Sequence, residues 1–408
     1  MTAALFLSNF AAVTTAGYER PASLTAKSRP SIPGLPGTGS LDRSRITSPM
    51  FSSPIPPKPL GRMIGLGIVG NILSIAARVN DPGDVIANGS SFATGRAFLY
   101  RNGAITDLGT LGGNFTTASD INNRGDVAGY STLPGDSGTH AFLYRDGRMI
   151  DLGTLGGTRS FALGINDKGE VVGYSYIEED LATHAFLYRN GEMVDLGTFG
   201  GETSVALDIN KKGEVVGISF TEDFAQRGFL YRDGEMIDIG TLGGSSTFAN
   251  LINDRGDIAG FSFLPDDLTF HAFLYRNGEM IDLGALGGIR SLANDINERG
   301  EVVGTADSRA FLWSNGEMID IGSLGGGLTF AAAINDKGDV VGYSYTENLA
   351  AQHAILYSNG ELIDLGTLGG KDSDASGINN KGHIVGQSNV ADGSAHAFLF
   401  TRKSDELE

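Results

Sequence analysis

The stretch "HAFLYRNGEMIDLGALGG", His271–Gly288, decides how the chain is read. It looks like a site, with a histidine, an arginine, a glutamate, an aspartate and a glycine run. Nearly the same string stands at His140–Gly157 and His184–Gly201. A string written repeatedly is a building part before it is a catalyst, so periods are sought before motifs. Three markers recur in order. "LGTLGG"-type segments begin at Leu108, Leu152, Leu196, Ile239, Leu283, Ile321 and Leu365. "INDKGEVVG"-type segments begin at Ile121, Ile165, Ile209, Ile252, Ile296, Ile334 and Ile378, with a degenerate copy at Val79. "HAFLY"-type segments begin at Arg96, His140, His184, Arg227, His271, Arg309, His353 and His396, spaced by 43 or 44 residues except for 38 between His271 and Arg309.

One unit reads as four short strands. In Ser160–Gly197, "SFALGIN" is strand a, "EVVGYSY" strand b, "HAFLYR" strand c and "EMVDLG" strand d. The Asn190-Gly191 pair between c and d is a strong hairpin signal, because both residues tolerate the positive φ of a type I′ turn. Four antiparallel strands per repeat of this length is the pattern of a β-propeller blade. Strands a, b and c occur eight times, but the last "HAFLF" runs into "TRKSDELE" with no strand d. The orphan "RMIGLG" at Arg62–Gly67 resembles "EMIDLG" and supplies the missing strand. The expected fold is therefore all-β: an eight-bladed β-propeller of four-stranded antiparallel blades, closed by an N-terminal strand. Seven blades with a spare unit is the competing count.

These markers resemble the HAF-repeat family, named for its His-Ala-Phe triplet, whose members are described as probable extracellular repeat proteins of bacteria. The likeness covers about residues 62–401. It implies an extracellular or periplasmic location, with the cytoplasm as the alternative, and it carries no activity or catalytic residues with it. Residues 1–60, rich in Ser, Thr, Pro and Ala, read as a disordered tail or a weak signal segment, since too little of them is apolar to offset the entropy of ordering. "AALFLSNFAAV" is modestly apolar but has no Lys or Arg before it. Residues 402–408 read as a charged C-terminal tail.

Composition narrows the chemistry. The chain has 408 residues, no cysteine and a net charge of -18. Disulfides, thiolate metal sites and cysteine nucleophiles are excluded. So strong an acidic balance argues against gripping nucleic acid, and no apolar run approaches a membrane span. No cofactor is expected, and a monomer is. The first HAF position holds His or Arg, and Arg has no lone pair for a metal, so no metal is expected there. The hairpin register instead makes that residue a diagonal neighbour of the strand-d aspartate. The pairs His140–Asp151, His184–Asp195, His271–Asp282 and His353–Asp364, with Arg96–Asp107, Arg227–Asp238 and Arg309–Asp320, read as structural clamps, similar to the Asp–His pairing of tryptophan-aspartate repeat propellers. The strand-a alanines (Ala76, Ala118, Ala162, Ala206, Ala249, Ala293, Ala331, Ala375) read as packing. "DINNRGD" at Asp120–Asp126 echoes a calcium loop, but Arg124 stands at a ligand position, and the segment reads as a hairpin turn.

Function is sought where the blades differ. The b–c loops vary most and carry many acids, while the four-residue "TADS" loop leaves a notch. The candidate ligand-binding residues are Asp266, Asp267, Phe270 and Glu347, beside that notch, with an unknown protein or glycan as partner. No catalytic motif is present. The sequence thus favours a non-catalytic binding or scaffolding propeller using acidic b–c loops on one face. The alternative is a carboxylate-dependent carbohydrate-active enzyme on the same scaffold, with paired acids on the rim or in the channel.

Overall fold

Asn277 and Gly278 carry positive φ (54° and 86°), the backbone of a two-residue hairpin turn. Strand c (Phe270–Arg276) therefore returns as strand d (Glu279–Asp282) with Phe273 opposite Asp282 and Tyr275 opposite Met280. This is the register the sequence predicts. With Thr247–Ile252 as strand a and Ile258–Phe263 as strand b, they form one sheet in the order a–b–c–d. The computed structural model describes residues 61–66, 73–90 and 94–402, and in them this unit occurs eight times. Blades 1 to 7 occupy residues 73–107, 116–151, 156–195, 200–238, 247–282, 291–320 and 325–366. The expected tail, residues 1–60, and residues 403–408 lie outside the described residues.

Blade 8 is built from both parts of the chain. Its strands a, b and c are Gly369–Ile378, Ile384–Val390 and Ala395–Arg402, and its outer strand is Gly61–Gly65, antiparallel to strand c with Met63 opposite Phe400. Leu66 follows, donates its N–H to the Ala397 carbonyl at 2.9 Å and is buried with Ala76 and Val85 of blade 1. Pairing removes an open sheet edge. Strand c here runs to Arg402, one residue beyond the expected boundary, where its guanidinium meets Asp339 of blade 7 at 2.9 Å.

Closure is written a second time in side chains. The asparagine of each "IND"-type turn donates its Nδ2–H to the backbone carbonyl of the equivalent asparagine one blade on. The belt runs Asn80 to Asn122, Asn166, Asn210, Asn253, Asn297, Asn335, Asn379 and back to Asn80, with every step between 2.8 and 3.1 Å. All eight are buried. Their Oδ1 atoms accept turn N–H groups of their own blade, as Asn253 does from Arg255 and Asp257. A buried amide satisfied on both sides is a costly group to lose.

The core lies between blades. The HAF phenylalanines Phe142, Phe186, Phe229, Phe273, Phe311 and Phe398 are fully buried, and Ile355 takes the place in blade 7. The strand-b glycine of "VVG" exists for this ring: a Cβ at Gly129 would strike the Thr117 carbonyl and the Phe142 ring. The strand-a alanines are all buried. They meet the small strand-c residue of the preceding blade; a Cβ at Gly228 would stand 3.1 Å from that of Ala249.

Candidate functional site

Strand a is innermost, and each strand a breaks register just after its alanine, as between Ala118 and Asp120. Such a bulge re-aims one side chain. From blade 1 to blade 8 that residue is Arg78, Asp120, Gly164, Asp208, Leu251, Asp295, Ala333 and Gly377. The three aspartates stand on alternate blades. One oxygen of each accepts the following N–H of its own strand, and the other accepts an isoleucine N–H of the next blade. The cross-blade bonds are Asp120 to Ile165 (3.1 Å), Asp208 to Ile252 (2.9 Å) and Asp295 to Ile334 (2.8 Å).

Asp208 feels the charges of Asp120 and Asp295, and Asp295 that of Arg78 in blade 1. Blades 2, 4 and 6 are not neighbours in the ring, so these charges act on one another across it. All three residues are half-buried. Burial outweighs the backbone donors and pushes Asp208 up to about 7 and Asp295 up to about 6. Burial raises Asp120 as well, with Arg78 opposing it.

A second ring lies one residue past the asparagine belt: Asp81, Asn123, Asp167, Lys211, Asp254, Glu298, Asp336 and Asn380. Most of these side chains accept the N–H of their counterpart in the preceding blade, as Asp254 does from Lys211 at 2.8 Å and Asp336 from Glu298 at 2.9 Å. Lys211 lies between Asp254 (2.9 Å) and Asp167 (3.7 Å). The turn-end mouth of the ring is therefore acidic, and burial, with Asp254 and Asp336 nearby, pushes Glu298 up.

The residues singled out from sequence lie at the other end. Asp266, Asp267 and Phe270 belong to the b–c loop and strand c of blade 5, and Glu347 to the loop of blade 7, so blade 6 stands between them. Asp266 accepts the Thr269 and Leu268 N–H groups at 2.9 Å, bonds that hold its carboxyl below the usual range. Asp267 accepts the Ser245 N–H of the d–a connection at 2.7 Å. Asp136 and Asp180 hold Asn114 and Thr158 in the same manner. Phe270 packs on Phe261 and Phe263, with the Arg290 guanidinium 5.7 Å from its ring centre. Glu347 is exposed. The "TADS" loop is cut to a two-residue turn, Asp307-Ser308.

His140, His184, His271 and His353 each place Nδ1 2.8 Å from Asp151, Asp195, Asp282 and Asp364. Arg227, Arg309 and Arg96 lie 3.2, 3.3 and 3.5 Å from Asp238, Asp320 and Asp107. The same aspartates accept the glycine N–H of the following "LG", as Asp282 does from Gly284 at 2.8 Å. His396 has no such partner in strand d, because Gly65 occupies the position. Among the described residues no group of three or more His, Asp or Glu is placed to hold a metal ion. Sequence reading missed the asparagine belt and the axial role of Asp120, Asp208 and Asp295; the recurring "IN" before each turn was the available signal for the first.

No family model matches the sequence, and no curated protein does. Solved structures do match in fold. Dipeptidyl peptidase 4 of Porphyromonas gingivalis is similar at a TM-score of 0.52 and 11% identity, over 85% of this chain and 59% of that one. The β-propeller domain of the Trilobed protease of Pyrococcus furiosus is similar at 0.41 and 9%, over 81% and 97%. Acylaminoacyl peptidase of Pyrococcus horikoshii is similar at 0.44 and 12%, over 78% and 57%. At these identities the likeness is one of fold. It nevertheless corrects the expectation of a non-catalytic binding or scaffolding ring to this extent: the fold also occurs in a dipeptidyl peptidase, so a non-catalytic role is not shown. The physical reason is that a fold fixes neither the presence nor the absence of chemistry, and of the loop acids offered as a binding face Asp266 and Asp267 are engaged in holding backbone amides.

Proposed function

We propose that the chain is a carboxylate-dependent hydrolase of saccharides whose chemistry lies at the axis of the ring. One observation carries the reading: Asp120, Asp208 and Asp295 stand on the inner strands of alternate blades, and burial raises all three carboxyls, Asp208 to about 7 and Asp295 to about 6. Glycoside hydrolysis needs one carboxyl that protonates the leaving oxygen and a second, ionised, that acts as base or nucleophile. Burial suits Asp208, at about 7, to the first role. Asp295, at about 6, suits the second. The groups share one field, so protonation belongs to the set rather than to one member. Backbone amides on both oxygens fix each carboxyl plane, and each oxygen keeps a lone pair for substrate. Arg78, exposed at the same level, can donate to sugar hydroxyls. The uncharged Gly164, Leu251, Ala333 and Gly377 between the acids leave apolar wall for a sugar ring.

The HAF-repeat resemblance, an extracellular or periplasmic location and a monomeric state belong to the same reading, supported by the recurring markers and by a ring that pairs its own edges. The test is reducing-end release from a panel of neutral, amino-sugar and uronate polysaccharides. Wild type should hydrolyse at least one. Asp208→Asn should lower that rate by about 10²-fold or more, with cooperative melting retained. No release from any polysaccharide, or wild-type rates in both Asp208→Asn and Asp295→Asn, would overturn the reading.

A further inference from the structure

The arginine that ends "HAFLYR" has a fixed partner in three blades. Arg101 meets Asp84, Arg145 meets Asp126 and Arg276 meets Asp257, each at 2.8 Å. The acid is the residue just before strand b. The guanidinium lies across the turn glycine of the next blade, namely Gly125, Gly169 and Gly300. Blades 3 and 4 carry Glu170 and Glu214 in place of that aspartate. One methylene longer, these carboxylates sit closer to the asparagine belt than Asp84, Asp126 and Asp257, which accept from their own asparagines at 3.1 to 3.4 Å. Glu170 accepts from Asn166 Nδ2 at 2.6 Å, and Glu214 from Asn210 Nδ2 at 2.7 Å. The space over the next turn glycine, Gly213 or Gly256, is then taken by glutamate rather than arginine.

Arg189 and Arg232 are displaced as a result. Both are exposed, and neither forms an ion pair among the described residues. A cleft of about 520 Å³ opens where the paired arginine would lie, lined by Arg189 of blade 3 and by Lys212, Glu214, Tyr231, Arg232 and Asp233 of blade 4. Glu214 is committed to Asn210, and Lys212 Nζ, which donates to the Arg255 carbonyl at 2.8 Å, lies 3.7 Å from it. In a chain of net charge -18, two adjacent unpaired guanidinium groups in one cleft are a departure from the repeat.

We propose that this cleft binds an oxyanion, either the carboxylate of a uronate or a sulfate or phosphate ester, between the guanidinium groups of Arg189 and Arg232. The planar fork of arginine matches such groups bidentately, and Lys212 adds charge without that geometry. The site is separate from the axis and does not depend on the proposed hydrolysis.

Isothermal titration of the full chain tests it, with sodium sulfate, inorganic phosphate, a galacturonate hexamer and a neutral glucose hexamer as probes. At least one anionic probe should bind, the neutral hexamer should not, and binding should weaken with salt. Binding of the uronate alone assigns a glycan carboxylate; binding of sulfate or phosphate assigns an ester. Two double variants separate the cleft from general charge. Arg189→Gln with Arg232→Gln removes the forks. Glu170→Asp with Glu214→Asp keeps both arginines but restores the shorter acid of blades 1, 2 and 5, drawing them back into ion pairs. Each should weaken binding at least about tenfold, while Arg145→Gln leaves it unchanged. Failure of every anionic probe to bind wild type, wild-type affinity in either double variant, or equal weakening by Arg145→Gln would overturn the proposal.

Discussion

The two ends of the ring invert what the sequence suggests about them. The loop end varies in length and composition from blade to blade, yet Asp136, Asp180 and Asp267 repeat one task, holding by a backbone amide the start of strand a or the connection that leads to it. The turn end repeats "NDKG" and "NG" almost unchanged, yet it holds the closed asparagine belt, the nearby axial carboxyls and the displaced arginines. Its differences are single exchanges: Asp for Gly, Leu or Ala at the strand-a bulge, and Glu for Asp before strand b. Variation in length marks tolerance to change, whereas an exchange of charge inside a constant frame marks a change of chemistry.

Opening the ring should have the largest effect, because the belt is continuous only when blade 8 is complete. A chain starting at Leu73 lacks the closing strand and the buried Leu66, and should lose on the order of 3–5 kcal/mol of stability, or fail to fold, beside a chain starting at Pro59. Equal melting of the two would show that the belt holds without its outer strand. Next comes a single break in the belt. Asn253→Ala orphans the Asn297 carbonyl and two turn N–H groups of its own blade, and should cost about 2–3 kcal/mol in denaturant unfolding. Asp267→Ala at the loop end should shift the midpoint far less. If the two shifts are equal, the contrast between the ends is wrong.

The axial carboxyls add a pH signature to the turn end. The folded-state pKa of Asp208 is raised from 3.8 to about 7. Its contribution to stability is therefore complete below the unfolded value and is lost as pH rises through about 7. Wild type minus Asp208→Asn should lose about 1–2 kcal/mol between acidic and mildly basic pH, allowing for the partial exposure of the residue. The difference between chains is the quantity to read. At Asp257, burial pushes the carboxyl up but Arg276 and Asn253 outweigh it and hold it down, which adds an opposing slope that both chains share and the difference cancels. A difference independent of pH would mean that the Asp208 carboxyl titrates alike in the folded and unfolded chains and is not raised by burial.

Much of this was legible in the residues. The Asn-Gly turns set the c–d register, the eight-fold count set the number of blades, and "RMIGLG" disclosed closure. Asp120, Asp208 and Asp295 were not legible as a site, because the bulge breaks the two-residue alternation by which a strand residue is assigned to a face. The belt was hidden because asparagine before a turn is explained locally, and the local explanation is also true: Asn253 does cap its own turn. The exchange of Asp126 for Glu170 looks conservative, and only the absence of an arginine over the next turn glycine, Gly213, reveals that the pairing with Arg189 is lost.

The smallest effect belongs to the loop end and concerns the clamps. His271 and Asp282 are partly exposed, so their pairing adds little in high dielectric. Asp282 would also keep its bond from the Gly284 N–H if the histidine were removed. His271→Ala should therefore cost only about 0.5–1 kcal/mol in chemical denaturation. His271→Arg should fall within about 0.5 kcal/mol of wild type, because blades 1, 4 and 6 carry Arg at this position, 3.2 to 3.5 Å from the aspartate. If arginine proved as costly as alanine, the position would require something that imidazole has and guanidinium lacks. The nearest such property is a lone pair, and the clamp would then have to be read as a ligand site repeated around the ring.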